Sequence, residues 1–345
     1  MWFSYLVRAR VLRYGLSMNL SKCLLSILCL GFFSLSAAPQ KKVLILTGQS
    51  THNNYSHNND EVGKLIQFKL EQSKYASQFD IKYSFKYPAD LSLVEQADLI
   101  IISSDGGKGH ALANNGDLTK HSAHLDAVLK KTKAGLIVIH WATDSPSNKV
   151  FGPQPENDAF MQRWIGACYY WGGNQAHPVK SWTWKFPVLE LAANKAHPIA
   201  NGVPELFKLQ DEYYFNFFTQ GAGSRNPVSD RITPIHSGRA PQTHGDIKHN
   251  DRWTQQPCYW AFQRDDSGRS VAMTSAHMYH TWANKHFFQT FMNSVFWAAG
   301  LDVPANGVEI STPTIKELKS MGGNVGVSPK ALYFEKLMKV LPEME

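Results

Sequence analysis

Residues 134–144, AGLIVIHWATD, constrain the fold of this chain more than any other stretch. Leu136, Ile137, Val138 and Ile139 form an unbroken apolar run after a glycine, with no polar side to turn to water. Such a run reads as a strand buried on both faces, as in parallel sheets covered by helices. His140 follows at its carboxyl end. In open α/β sheets ligands bind at that end, where loops and helix N-termini converge. His140 therefore stands where this class of fold carries out its chemistry.

The flanking pattern agrees. Residues 42–47 (KVLILT) read as a first strand, and residues 61–71 as a helix with Val62, Leu65, Ile66 and Leu70 on one face. Residues 79–85 alternate apolar and polar, residues 97–103 (ADLIIIS) form a second buried strand, and residues 121–133 are helical by spacing. Strands alternating with helices predict an α/β protein with a mostly parallel sheet. Residues 145–265 change texture: they are rich in Trp, Tyr, Pro and Gly, with short β-like runs and few clean helices expected. Residues 270–275 resemble a further strand ending near His277. Residues 287–299 form a strongly apolar helix closed by Gly300, and residues 330–340 a short one.

Residues 1–38 stand apart. Lys22 precedes an apolar run that ends in small residues, which matches a secretory signal peptide, with Met18 as an alternative start. The run is short for a membrane span, and nothing later supplies one. The expected organisation is a leader at 1–38, one domain at 39–300 and an extension at 301–345, with a periplasmic or secreted location. Removing the leader takes away four basic residues and no acid, so the formal charge falls from +7 to +3. That is too mild to argue for nucleic acid. Cys168 and Cys258 remain, either as a pair in an oxidising compartment or as two separate buried thiols.

Fourteen histidines draw attention to sites. His140 and His277 follow predicted strands, His177 and His197 each precede a proline, and Glu212 offers a carboxylate in the irregular region. Histidines and an acid from separate loops suit a divalent metal such as zinc, with His140, His177, Glu212 and His277 as candidate ligands. They suit acid–base catalysis equally, with His140, His277 and Glu212 as the active groups. No HExxH or CxxC spacing decides between the two. A nucleophilic elbow needs G-x-S-x-G or a cysteine at the sharp turn, and here the turn reads VIHWAT. DGGKGH (residues 105–110) lacks the spacing of a phosphate loop. The tryptophans, Trp141 and Trp282 among them, are candidates for stacking on a sugar, although large rings also fill loop-rich cores.

VLILTGQSTHN, GLIVIHWATD with WIGACYYWGG, HPIANGVPELFKLQDEYY, and QPCYWAFQRDDSGRSVAMTSAHMYHTW ending in FWAAG occur in that order between residues 42 and 300. Together they resemble the ThuA-like (trehalose utilisation) family. The resemblance implies a flavodoxin-like three-layer sandwich, similar to class I glutamine amidotransferases but without their cysteine. It implies a pocket holding His52, His140, His177, Glu212 and His277 with Asp211 and Tyr213 beside them; His57, in the same loop as His52, is an alternative for the first position. It further implies a small-molecule carbohydrate substrate such as a glycoside or a 3-keto-disaccharide. A non-catalytic carbohydrate-binding protein of a sugar-uptake system is the alternative.

Overall fold

The computed structural model describes residues 39–51, 56–113, 118–149, 155–169, 181–184, 188–215, 217, 232–238, 256–323 and 325. Strands β1 (Lys41–Thr47), β2 (Phe79–Phe85), β3 (Leu99–Ser103) and β4 (Gly135–Ile139) alternate with helices α1 (Asn59–Glu71), α2 (Ser92–Glu95) and α3 (Leu118–Thr132). Helix α4 (Pro155–Ile165) follows, then β5 (Trp182–Trp184), β6 (Val188–Ala193), β7 (Leu206–Gln210), β8 (Tyr213–Phe215), β9 (Ile232–Gly238), β10 (Gln256–Gln263) and β11 (Arg269–Met273). Helices α5 (Lys285–Ala298) and α6 (Ile315–Ser320) complete the described elements.

Among the described residues a nine-stranded sheet runs in the order β2-β1-β3-β4-β11-β10-β9-β6-β7, with β5 and β8 paired separately. The half from β2 to β11 is parallel. From β11 to β7 the pairs are antiparallel, so β11 joins two halves of opposite character. The sheet is therefore mixed, and the short β-like runs expected beyond residue 145 supply its antiparallel half.

Every residue of β3 and β4 is buried, as the apolar runs required. Their side chains alternate between two cores. Val43, Ile45, Ile101, Ile137 and Val271 face α1 and α5, whereas Leu44, Leu46, Ile102, Val138 and Ala272 face α3 and α4. This is the three-layer α/β/α sandwich. Cys258 belongs to the first core and Cys168 to the second, and both are free, so the sheet itself separates the two thiols.

Helix α4 is the one α-helix among the described residues of 145–265, in keeping with the few expected there. Pro155 opens it, at the position where a missing N–H goes unnoticed, and Met161, Trp164 and Ile165 sink into the second core. Its apolar stripe is short and sits in aromatic-rich surroundings, which hides the 3.6-residue period. Helix α5 ends as its sequence suggested. Gly300 adopts φ +73°, and Leu301 N–H donates to the Phe296 carbonyl while Gly300 N–H donates to that of Trp297, a Schellman closure. Residues beyond Gly300 dock on the core through buried Val308 and Leu318 and through Lys69 Nζ, 3.0 Å from Glu317 Oε1. Among the described residues no helix is long and apolar enough to cross a membrane. The leader expected at 1–38, His52, His177 and the helix expected at 330–340 lie outside the described residues.

Candidate functional site

Three buried histidines meet at the carboxyl edge of the parallel half. His57 precedes α1, His140 follows β4, and His277 lies four residues past β11. Each is presented by a backbone turn that L-residues avoid: φ is +56° at His57, +53° at His140 and +85° at Ala276. A left-handed conformation at a non-glycine residue costs roughly 1–2 kcal/mol. Such strain persists where the surroundings over-determine it, as functional sites do. For His140 the turn is a strand-to-helix elbow, since a single 3₁₀ turn (His140–Thr143) starts directly at the end of β4. The loops carrying His57 and His277 also pair with each other, His57 N–H donating to the His277 carbonyl at 3.0 Å.

His57 Nε2 lies 2.8 Å from His277 Nδ1, and His140 Nε2 lies 3.1 Å from the same atom. The outward-facing nitrogens fix the tautomers. His140 Nδ1 contacts the Thr274 carbonyl at 2.5 Å, and a carbonyl only accepts, so Nδ1 carries the hydrogen. His57 Nδ1 is 2.6 Å from Asp105 Oδ1, which likewise takes that hydrogen. In their neutral forms both rings therefore turn Nε2 lone pairs toward His277.

Asp105 follows β3 in the DGGKGH loop and is fully buried. Besides His57 it accepts from Thr51 N–H and Oγ1, each at 2.6 Å, and from Asn59 Nδ2 at 2.8 Å. Sequence reasoning passed over it; the available signal was a lone acid two residues past a buried strand. Asp211, buried in a like manner, holds the turn of His277. It accepts from the backbone N–H groups of Ala276 (2.7 Å), His277 (3.1 Å) and Met278 (3.3 Å) and from Thr281 Oγ1 (2.8 Å). Burial raises its carboxyl to about 6, with the hydrogen bonds from Ala276, Thr281, Glu212 and Met278 opposing.

Glu212 Oε1 stands 3.5 Å from His277 Nδ1 and 4.0 Å from His140 Nε2. Alternation along β8 then sends successive side chains to opposite sides. Tyr213 points into the core and donates to the Leu209 carbonyl at 2.9 Å. Tyr214 faces the histidines: its ring stacks on His140 with centroids 4.8 Å apart, and its hydroxyl is 3.0 Å from His140 Nε2. Burial pushes the Tyr214 phenol well above its ordinary value, so it is a hydrogen-bond donor. It was not among the residues singled out from sequence, although the alternation in DEYY pairs it with Glu212. Trp141 lines the site edge-on to His57 and donates from Nε1 to Asp144 Oδ2 at 3.1 Å. Trp282 packs in the core against Phe287 and Phe291.

The donor set fits a divalent cation. One nitrogen from each of His57, His140 and His277 lies within 4.8 Å of the other two. In their neutral forms two of the three rings present Nε2 lone pairs and have their opposite N–H groups fixed by a carboxylate and a backbone carbonyl. That is the outer arrangement of metal-ligating histidines. Three protein nitrogens are the set a catalytic zinc uses while a fourth position stays open.

The family model described as ThuA, trehalose utilisation, matches residues 42–298. No curated protein matches the chain in sequence. A solved structure of a ThuA-like protein from Bacteroides uniformis is similar at 14% identity and TM-score 0.53, covering 79% of this chain and 97% of that one. A GMP synthase protein from Thermoplasma acidophilum is similar at 11% identity and TM-score 0.38, covering 76% and 96%. The glutaminase domain of the Trypanosoma brucei CTPS is similar at 8% identity and TM-score 0.39, covering 78% and 98%.

Proposed function

The chain belongs to the ThuA, trehalose-utilisation family, and from that premise we propose that it is a metal-assisted enzyme acting on a glycoside or 3-keto-disaccharide. The observation that carries the reading is the convergence of His57 Nε2, His140 Nε2 and His277 Nδ1, with tautomers set by Asp105 and the Thr274 carbonyl. His57, His140 and His277 would hold the cation. When bound, a divalent metal acts as a Lewis acid that polarises a substrate oxygen or activates water.

The remaining work falls to this chain's side chains. A proton on the carbon beside a sugar ketone is acidified by the carbonyl, and its removal needs a base within reach. Glu212 is that base, since its carboxylate borders both His140 and His277. Asp105 and Asp211 touch no reacting atom in this scheme. The first keeps the His57 lone pair pointed inward, and the second holds the turn that carries His277. Trp141, beside His57, offers an apolar ring edge to a sugar. The apolar leader at residues 1–38 supports export to the periplasm or medium, which N-terminal sequencing of the mature protein would test.

Metal analysis of protein purified without chelator or affinity metal tests the reading. A divalent metal at near-stoichiometric level, lost in His140→Ala, is the expected result. Metal-free wild-type protein that regains no activity with zinc, manganese or cobalt would overturn it. Tight sugar binding by metal-loaded protein without any product would replace it with a non-catalytic carbohydrate-binding role.

A further inference from the structure

One lone pair has more than one claimant. In its neutral form His140 gives its Nδ1 hydrogen to the Thr274 carbonyl, so Nε2 only accepts; beside the His277 Nδ1 contact at 3.1 Å, the Tyr214 hydroxyl 3.0 Å away donates to it. A cation on His140 needs that same lone pair. The phenol and the cation therefore exclude each other at this nitrogen.

The phenol cannot simply leave. Its ring is stacked on His140 at an interplanar angle of 27° and meets Tyr169 edge-on with centroids 5.2 Å apart. Its backbone lies in β8, paired with β5 through Thr183. The ring is held on three sides, whereas the hydroxyl hydrogen turns freely about the C–O bond. Losing His140 as an acceptor therefore re-aims a hydrogen without moving the ring.

Resting on the metal reading above, we propose that Tyr214 is the switchable hydrogen-bond donor of the site. In the metal-free protein its phenol caps His140 Nε2. With a cation on that nitrogen, the same phenol donates to the oxygen atom that a substrate brings to the cation, a carbonyl or a developing alkoxide. No proton is transferred in the exchange: one O–H···N bond breaks and one O–H···O bond forms. The arrangement fits substrates that carry an oxygen gaining negative charge, as a ketone does when the carbon beside it is deprotonated. A preorganised donor aimed at such an oxygen, in a site closed to water, is an effective way to stabilise developing charge.

The test uses full-length protein, cobalt(II) as the metal and acetate as the oxygen probe, and needs no knowledge of the substrate. Tyr214→Phe removes one oxygen atom and leaves the ring stack. The variant is expected to bind cobalt about two- to ten-fold more tightly, because the hydrogen bond from the phenol no longer has to be given up first. Its cobalt-loaded form is expected to bind acetate about ten-fold more weakly, because a donor to a charged oxygen is gone. The two shifts run in opposite directions, which a loosened site would not produce. Weaker cobalt binding in Tyr214→Phe would mean that the phenol is a ligand or a structural prop, and would overturn the proposal. So would unchanged acetate affinity. If the phenylalanine variant does not fold, Tyr214→Met, which also lacks the hydroxyl, is measured in its place. Cobalt binding that is absent in wild type, or that survives in His140→Ala, would sink the metal reading and this proposal with it. Binding that depends on His140 but is indifferent to Tyr214 would sink this proposal alone.

Discussion

His57 Nε2 and His277 Nδ1 stand 2.8 Å apart although 220 residues of chain separate them. Neither loop makes that contact by itself. It depends on β1 and β11 lying in one sheet, and on two buried carboxylates, Asp105 behind His57 and Asp211 beneath the turn of His277.

Asp105 should matter for metal affinity without touching the metal. Asp105→Asn keeps an acceptor for Thr51 but loses the charge that orients the His57 ring. Metal affinity, measured by competition with a chromophoric chelator, should fall about 10- to 100-fold, as is usual when an outer partner of a ligand is altered. An affinity equal to wild type would show that His57 is not a ligand.

Glu212 should separate chemistry from metal binding. In Glu212→Gln turnover of a 3-keto-disaccharide or other accepted glycoside should drop by roughly 10²- to 10⁴-fold, the span typical of a general base. Metal content should hold at the wild-type level. Metal loss in this variant would instead make Glu212 a ligand.

Acid should destabilise the fold through buried histidines. Burial lowers His110 and His280 to about 4, and lowers His236 to about 3 with repulsion from His286 adding to it. These groups are neutral when folded and take up a proton near pH 6.5 when unfolded. The stability they contribute is complete above about pH 6.5 and is lost as the pH falls toward 4, at about 1.4 kcal/mol per pH unit for each such group. Asp158 and Asp211, raised to about 6 by burial, act in the opposite direction between pH 6 and 4. Thermal unfolding at a series of pH values isolates one contribution: His236→Gln should flatten the fall in Tm between pH 6.5 and 4.5. An unchanged slope would refute the assignment for His236.

Two glycines should fail for different reasons. A Cβ on Gly135 would lie 2.2 Å from the Ala298 carbonyl oxygen, so Gly135→Ala must push β4 and α5 apart. Denaturant unfolding should register about 1–3 kcal/mol. At Gly300, by contrast, a Cβ would meet nothing within 4 Å among the described residues, but φ is +73°. Gly300→Ala should cost about 1 kcal/mol through backbone strain alone. If Gly135→Ala were the milder of the two, the close approach of β4 to α5 would be wrong.

Local pattern alone determined much of this protein. The run Leu136–Ile139 has no polar face, so it had to become a strand covered on both sides, and that by itself placed His140 at a ligand-binding edge. The period in residues 61–71 and the glycine after α5 located helices for the same reason: hydrophobic periodicity is written in neighbouring residues. The weak stripe of α4 was not legible, because its three buried apolar side chains, Met161, Trp164 and Ile165, do not stand out among the surrounding aromatics.

Only the tertiary structure decided which histidines meet. His57 reaches the site from a polar loop whose composition has no period, and only its backbone bond to the His277 loop shows that it does so; His52 lies outside the described residues. Asp105 looked like a residue of a failed phosphate loop until β3 set it behind His57. Tyr213 and Tyr214 are equivalent in composition, and one step along β8 sends the first to the core and the second to the site. Sequence records which groups are available and what each segment prefers. A site made of contacts between residues far apart in the chain exists only after the sheet has fixed strand order and register, because no local preference encodes a distance across the fold.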